Sequence, residues 1–181
     1  LAEGETDRAL TLYDRRLHAA GPRGIADMID AAGLLWRIDL AGGDAGARWN
    51  ALAAAWDPHI DDGFCSFNDL HAMLAFVGAR DWDRAGRLER ALASSLSLPT
   101  RHGETTRQLG LSVCRALLAF GRGDYTLAIT LLASLPAMAY RLGGSHAQRD
   151  VLHLTLLRAI ELIRRPVRGL RGRSEPIATP A

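Results

Sequence analysis

Apolar residues recur at steps of three and four through nearly the whole chain, and that period points to helices. Ala9, Leu10, Leu12, Tyr13 and Leu17 form one set, and Met28, Ile29, Leu34, Leu35, Trp36 and Ile38 a second. Leu70, Met73, Leu74, Phe76 and Val77 form a third, and Leu109, Val113, Leu117 and Phe120 a fourth. No stretch alternates apolar and polar residues long enough for a half-buried strand. Breakers separate the sets: Gly21-Pro22, Gly42-Gly43, Pro58, Gly63, Gly78, Pro99, Gly103, Gly121 with Gly123, and Gly143-Gly144. The pattern predicts helices over 5–19, 23–41, 45–57, 66–79, 81–97, 104–121, 124–142 and 145–164, an all-α chain with short connections.

A chain of 181 residues, 48% hydrophobic and 23% charged, has the composition of an ordinary globular protein. It can bury about two-thirds of its extended surface, enough for a core without staples. No apolar run reaches the ~18 residues of a membrane span. The two cysteines, Cys65 and Cys114, cannot make a disulfide framework or a four-thiolate zinc site. With no initiator Met and no signal-like segment, Leu1 reads as a cut end and a cytoplasmic location is expected. All 22 basic residues are Arg. Five of them fall within 164–173, so the Arg/Pro/Gly-rich tail at 164–181 makes the chain basic while the rest carries 17 Arg against 19 acids. Such a tail could touch nucleic acid or acidic lipid; the plainer reading is a solvated, flexible extension, with nucleic acid not the expected partner.

A turn followed five residues later by a small side chain recurs: Gly4 with Ala9, Gly42 with Ala47, Arg80 with Ala85, and Gly123 with Ala128. Acids cluster between turn and alanine, where they suit the positive end of a helix. A small residue lets two helices approach closely at their crossing. The pattern resembles the tetratricopeptide repeat, best in Gly123-Asp124-Tyr125 with Ala128, and predicts a solenoid of about four helix pairs over residues 1–163. An irregular helical bundle with chance alanines is the competing reading. The chain opens on a second-type helix without its partner, so upstream sequence is expected.

Two longer stretches, Leu142-Gly-Gly-Ser-His-Ala-Gln-Arg-Asp-Val151 and Phe67-Asn-Asp-Leu-His71, are similar to the tetratricopeptide repeat protein 38 family. Leu10-Thr-Leu-Tyr-Asp14, Leu34-Leu-Trp-Arg-Ile38 and Arg48-Trp49 follow the family's order and spacing. The resemblance spans roughly residues 4–163 and implies the C-terminal part of a longer helical-repeat protein, without implying a biochemical activity. The chain departs from the family at Gly63, where a His is frequent, and from about Arg164 onward.

Several residues could carry chemistry. Asn68 and His71 share a helix face while Asp69 points elsewhere; a carboxylate near an imidazole could orient it, although Ser66-x-x-Asp69 also reads as a capping box. His59, Asp61, Asp62, Cys65, Asp69 and His71 are dense in metal-ligand types, but their spacing matches no compact site, and no metal is expected. Gly143 can end one helix while Ser145-x-x-Gln148 caps the next. That leaves Arg149 and Asp150 either as an internal ion pair or, for Arg149, as a grip on an acidic group. Cys114 reads as a packed thiol, and Trp36, Trp49, Trp56 and Trp82 as packing between helices. No phosphate loop or nucleophile elbow is present, and no cofactor is implied. The sequence therefore predicts an interaction module binding a protein, peptide or small acidic ligand on a concave face. Its expected contacts are Arg37, Asn68, Asp69, His71, Arg149 and Asp150. The alternative is part of an enzyme in which Asp69, His71, Arg149 and Asp150 converge on one substrate.

Overall fold

The structure, a computed structural model, describes residues 3–15, 24–135 and 138–164. Leu17, the Gly21-Pro22 breaker and the tail beyond Arg164 lie outside the described residues. The helices are α1 Glu3–Tyr13, α2 Ile25–Leu40, α3 Arg48–Trp56, α4 Ser66–Gly78, α5 Trp82–Ser95, α6 Arg101–Thr105, α7 Leu111–Gly121, α8 Tyr125–Ala133 and α9 His146–Arg164. No strand occurs among the described residues, so the fold is all-α. A π-helical turn, Thr106–Gly110, joins α6 to α7 in one rod.

Several expected boundaries move, two of them for a visible reason. The helix expected over 124–142 stops at Ala133, and a separate 3-10 turn follows at Ala139–Leu142. Pro136 in the sequence has no N–H to give and disfavours helical backbone at Leu135. The rod expected from 104 starts earlier, because the Thr100 hydroxyl accepts the Gly103 N–H at 3.0 Å and closes its first turn.

One joint is built three times. At the end of α4, Arg80 N–H donates to Val77 O and Asp81 N–H to Phe76 O. At the end of α2, Gly42 donates to Asp39 and Gly43 to Ile38; at the end of α7, Gly123 donates to Phe120 and Asp124 to Ala119. Each is a Schellman turn, which uses a left-handed residue to satisfy the last carbonyls of the helix. Those residues are Gly42 at φ 89°, Arg80 at φ 54° and Gly123 at φ 81°. In the second and third joints the next residue then caps the following helix. Asp81 accepts from Arg84 N–H and Asp124 from Leu127 N–H, each at 3.0 Å. The first joint uses Asp39 instead, whose carboxylate accepts Ala45 N–H at 2.9 Å and Trp49 Nε1–H at 2.7 Å.

These joints make three helical hairpins, α2–α3, α4–α5 and α7–α8. Their first helices lie side by side, α4 between α2 and α7. Only Asn68 and Gly78 of α4 escape burial, as fits a helix apolar nearly all round. Each fully covered leucine in it, Leu70 and Leu74 among them, contributes about 2 kcal/mol of hydrophobic stabilisation. The outer helix α5 buries one stripe, Ala85, Leu88, Leu92 and Ser95. Helix α9 then packs against α8 and also against α2, so it links the last hairpin to the first.

The expected alanine register holds in part. Ala85 and Ala128 are completely buried, Ala9 is half-buried and Ala47 is exposed. Helix α3 begins only at Arg48, and the buried small residue of that hairpin is Ala45. Because Ala128 is completely buried, Ala128→Leu is expected to cost about 1–3 kcal/mol by overpacking. A drop in the denaturant midpoint at unchanged slope checks this, and an unchanged midpoint counts against a close crossing of α7 and α8.

Candidate functional site

The residues singled out in the sequence fall into two assemblies. The first lies where the start of α9 meets α2 and α4. A reciprocal capping box opens α9: Gln148 Oε1 accepts Ser145 N–H at 2.9 Å, and Ser145 Oγ accepts Gln148 N–H at 3.2 Å. Arg37 of α2 donates to Gly33 O at 2.7 Å, and its other terminal nitrogen donates to Ala147 O and to the Asp150 carboxylate. Arg149 donates to the carbonyls of Gly143 and Gly144, which fixes the turn before α9. A Cβ on Gly144 would stand 2.4 Å from the Phe67 ring, so the start of α4 rests directly on that turn. His71 sits against the same ring, centroids 4.5 Å apart, and its Nδ1–H donates to Phe67 O at 2.8 Å. Burial, reinforced by the nearby positive Arg37, lowers the His71 pKa from 6.5 to about 4, so the ring is neutral at physiological pH.

Arg37 was expected on an open concave face. It is instead one end of a clamp on α9, and Asp150 is the other. The chain's own last helix packs on that part of α2, and Arg37 still lines a cleft between the two. Trp36 adds a buried tie, donating Nε1–H to Thr155 Oγ1 of α9 at 2.8 Å. Asn68 is half-buried on α4.

The second assembly takes Asp69 away from His71. The residue preceding α4 is Cys65, which gives no side-chain cap, so Ser66-x-x-Asp69 is not a capping box. Asp69 turns inward, and its Oδ2 lies 2.7 Å from Nε2 of His102, a residue the sequence reading had passed over. His102 Nε2 is also 3.3 Å from Thr106 Oγ1, which is 3.2 Å from Ser66 Oγ. All four side chains are buried. Burial raises the Asp69 pKa and the bond to His102 opposes the shift. The close approach of α4 to the rod is possible because residue 110 is glycine: a Cβ there would stand 2.7 Å from Ser66 Oγ. Nothing in local spacing could reveal His102, which lies on another helix 33 positions from its partner.

Three cavities adjoin these assemblies, one of them a cleft of about 440 Å³ between α2 and α9 lined by Arg37, Leu40, Leu154 and Leu157. A cleft of about 370 Å³ between α8 and α9 is walled by Leu132, Leu135, Tyr140, Leu152 and Leu156, with His146, Arg149 and Asp150 at its rim. A cavity of about 540 Å³ lies over Asp69 and His102. Of the latter two, Asp69 thus faces one and Arg149 with Asp150 the other, while His71 is turned into α4 itself. Neither of these cavities is lined by all four residues of the enzymatic alternative.

The remaining candidates have structural places. His59 pairs with Asp62 at 2.7 Å on the surface. No three His, Cys, Asp or Glu side chains come together as a metal site among the described residues. Cys114 is fully buried, and burial pushes its thiol pKa well above the usual value. Trp36 and Trp49 meet edge to face with centroids 6.3 Å apart. No helix is long and apolar enough to cross a membrane among the described residues. No protein-family model matches the chain, and no solved structure matches it.

Proposed function

We propose that the chain is a tetratricopeptide-like helical-repeat module, related to the tetratricopeptide repeat protein 38 family, that captures a short peptide segment of a partner protein. The repeated Schellman hairpins with side-by-side first helices support the repeat reading. The α8–α9 cleft carries the binding reading. Its walls are leucines and Tyr140, and Arg149 stands at its rim without a carboxylate partner among the described residues. Its volume is at the small end of ligand pockets, suited to one or two apolar side chains rather than a broad protein surface. Arg149 uses Nη1 on the glycine carbonyls, which leaves the rest of its guanidinium fork for a carboxylate. The favoured ligand is therefore an apolar peptide with an adjacent acidic group.

An NMR titration with acetyl-Leu-Glu-Leu bearing a free C-terminal carboxylate tests this. Amide shifts are expected on α8 and the first turns of α9, and Arg149→Ala is expected to weaken binding about tenfold. Leu156→Glu, which places a charge in the wall, is expected to abolish binding while the protein stays folded. Shifts confined to other helices, or none at millimolar peptide, refute the reading.

A further inference from the structure

We infer that a cavity at the joint end of the hairpins binds a small organic carboxylate with an aromatic body. The last turns of α2, α4 and α7, the first residue of α8 and the end of α9 surround about 340 Å³ there, the small end of the range for ligand pockets. It shares no lining residue with the α8–α9 cleft, so the inference does not rest on the peptide reading. Arg80 carries the argument. Among the described residues it is the one non-glycine residue with a left-handed backbone, at φ 54°. The sister joints place Gly42 and Gly123 at that position, where a Cβ is disfavoured. Arginine there puts a guanidinium on the cavity wall, and it has no hydrogen-bond or ion-pair partner among the described residues. The nearest carboxylates in the chain are already engaged. Asp39, in the same wall, accepts Ala45 N–H and Trp49 Nε1–H on its two oxygens, and Asp81 accepts Arg84 N–H and pairs with the Arg84 guanidinium. A disfavoured residue that holds an unpaired charge over a cavity points to a partner outside the chain.

The rest of the lining agrees. Arg158 of α9 brings a second guanidinium; its Nη1 donates to Glu161, which does not line this cavity, and the remainder of the fork is left for a ligand. Tyr125 adds a half-buried hydroxyl that can donate. Two guanidinium groups against the single Asp39 carboxylate give the described lining an excess positive charge of one, which suits a monoanion better than a phosphate dianion. The apolar part is aromatic. Trp36 and Phe120 meet at a centroid distance of 5.7 Å and Phe120 and Tyr125 at 5.6 Å, a continuous run of three rings on which a ligand ring can stack. The helix ends gathered here are negative poles, but their last carbonyls already accept the Schellman N–H groups. A cation at residue 80 also suits the end of α4, and the test separates that role from binding.

The test uses 3-phenylpropionate as free acid and acetyl-Gly-Phe with a free C-terminal carboxylate as protein end, followed by titration calorimetry and by the ring signals of Tyr125 and Phe120. Both probes, or the peptide alone if the source is a protein terminus, are expected to bind and to move both rings. The neutral analogues 3-phenylpropanol and acetyl-Gly-Phe-amide are expected to bind about tenfold more weakly. Arg80→Gly is expected to weaken binding about tenfold while holding or raising the urea midpoint, because glycine relieves the left-handed backbone. Tyr125→Phe, which keeps the ring and removes the donor, is expected to weaken it severalfold. The inference is overturned if the Tyr125 ring stays still with both probes at millimolar concentration, if the neutral analogues bind equally, if phenyl phosphate binds more tightly than either acid, or if Arg80→Gly binds as well as the native chain.

Discussion

Gly78→Ala is expected to destabilise the protein by about 3 kcal/mol, the upper part of the overpacking range. Gly78 closes α4 with its Cα against the Trp49 indole, and a Cβ there would stand 2.3, 2.4 and 2.7 Å from three ring atoms. The ring cannot step aside. Its Nε1–H is tied to Asp39 at 2.7 Å, and its edge meets Trp36 at a centroid distance of 6.3 Å. Alanine would bring back about 1 kcal/mol of helix propensity, which is the smaller effect. Gly86 in the middle of α5 is the matched control, because a Cβ there would meet only the end of Arg90 at 3.3 Å, and that end can swing away. Gly86→Ala is therefore expected to stabilise the protein by about 0.5–1 kcal/mol. Urea midpoints moving in opposite directions for the same substitution would establish that space decides the matter at residue 78. Two shifts of the same sign would show that propensity does.

That contrast marks what could be read from the chain alone. The helices and the hairpin turns were legible, because apolar spacing and turn chemistry are local. The recurring turn at Gly42, Arg80 and Gly123 was found in phase, and each is a left-handed Schellman residue. Gly78 and Gly121 do end their helices, as breakers should, but they and Gly103, which lies inside α6, also serve close approach. A Cβ on Gly121 would stand 2.2 Å from Val77 Cγ1, and one on Gly103 2.5 Å from Leu98 O. Sequence spacing holds no trace of such contacts, because the neighbour belongs to another helix. The same limit governed the candidate site. The stretches that carried the family resemblance are long-range fasteners: Asp14 with Arg48, Trp36 with Thr155, Arg37 with Asp150, and the Phe67 ring on Gly144. Their specificity was visible, but their partners were not. Helical spacing turns Asp69 away from the face of His71 but does not say toward what, and its carboxylate enters the core to reach His102.

His71 yields the other large effect, one that appears only when pH is varied. An unfolded histidine takes up its proton near 6.5, while the folded protein resists protonating His71 until about 4. Between those values the unfolded chain binds more protons, so this residue's contribution to stability is complete above about pH 6.5 and shrinks as pH falls. The full swing is roughly 3 kcal/mol. Asp39 and Asp69 act in the opposite direction: burial raises their folded pKa values, so stability from them grows as pH falls through those raised values. The native profile mixes both trends, and a difference profile separates them. His71→Gln removes the titrating ring while keeping an amide that can donate to Phe67 O. The free-energy gap between native and variant proteins, from urea melts, is expected to stay constant above pH 7. It is then expected to move by roughly 3 kcal/mol in the variant's favour by pH 4. The ring carbon shifts of His71 give a check that does not depend on folding, since they should stay at neutral values down to pH 5. Parallel stability profiles, or a ring that titrates near 6.5, would mean that water reaches His71. The packing of α4 beneath Phe67 and the α9 turn would then have to be looser than the contact at Gly144 requires.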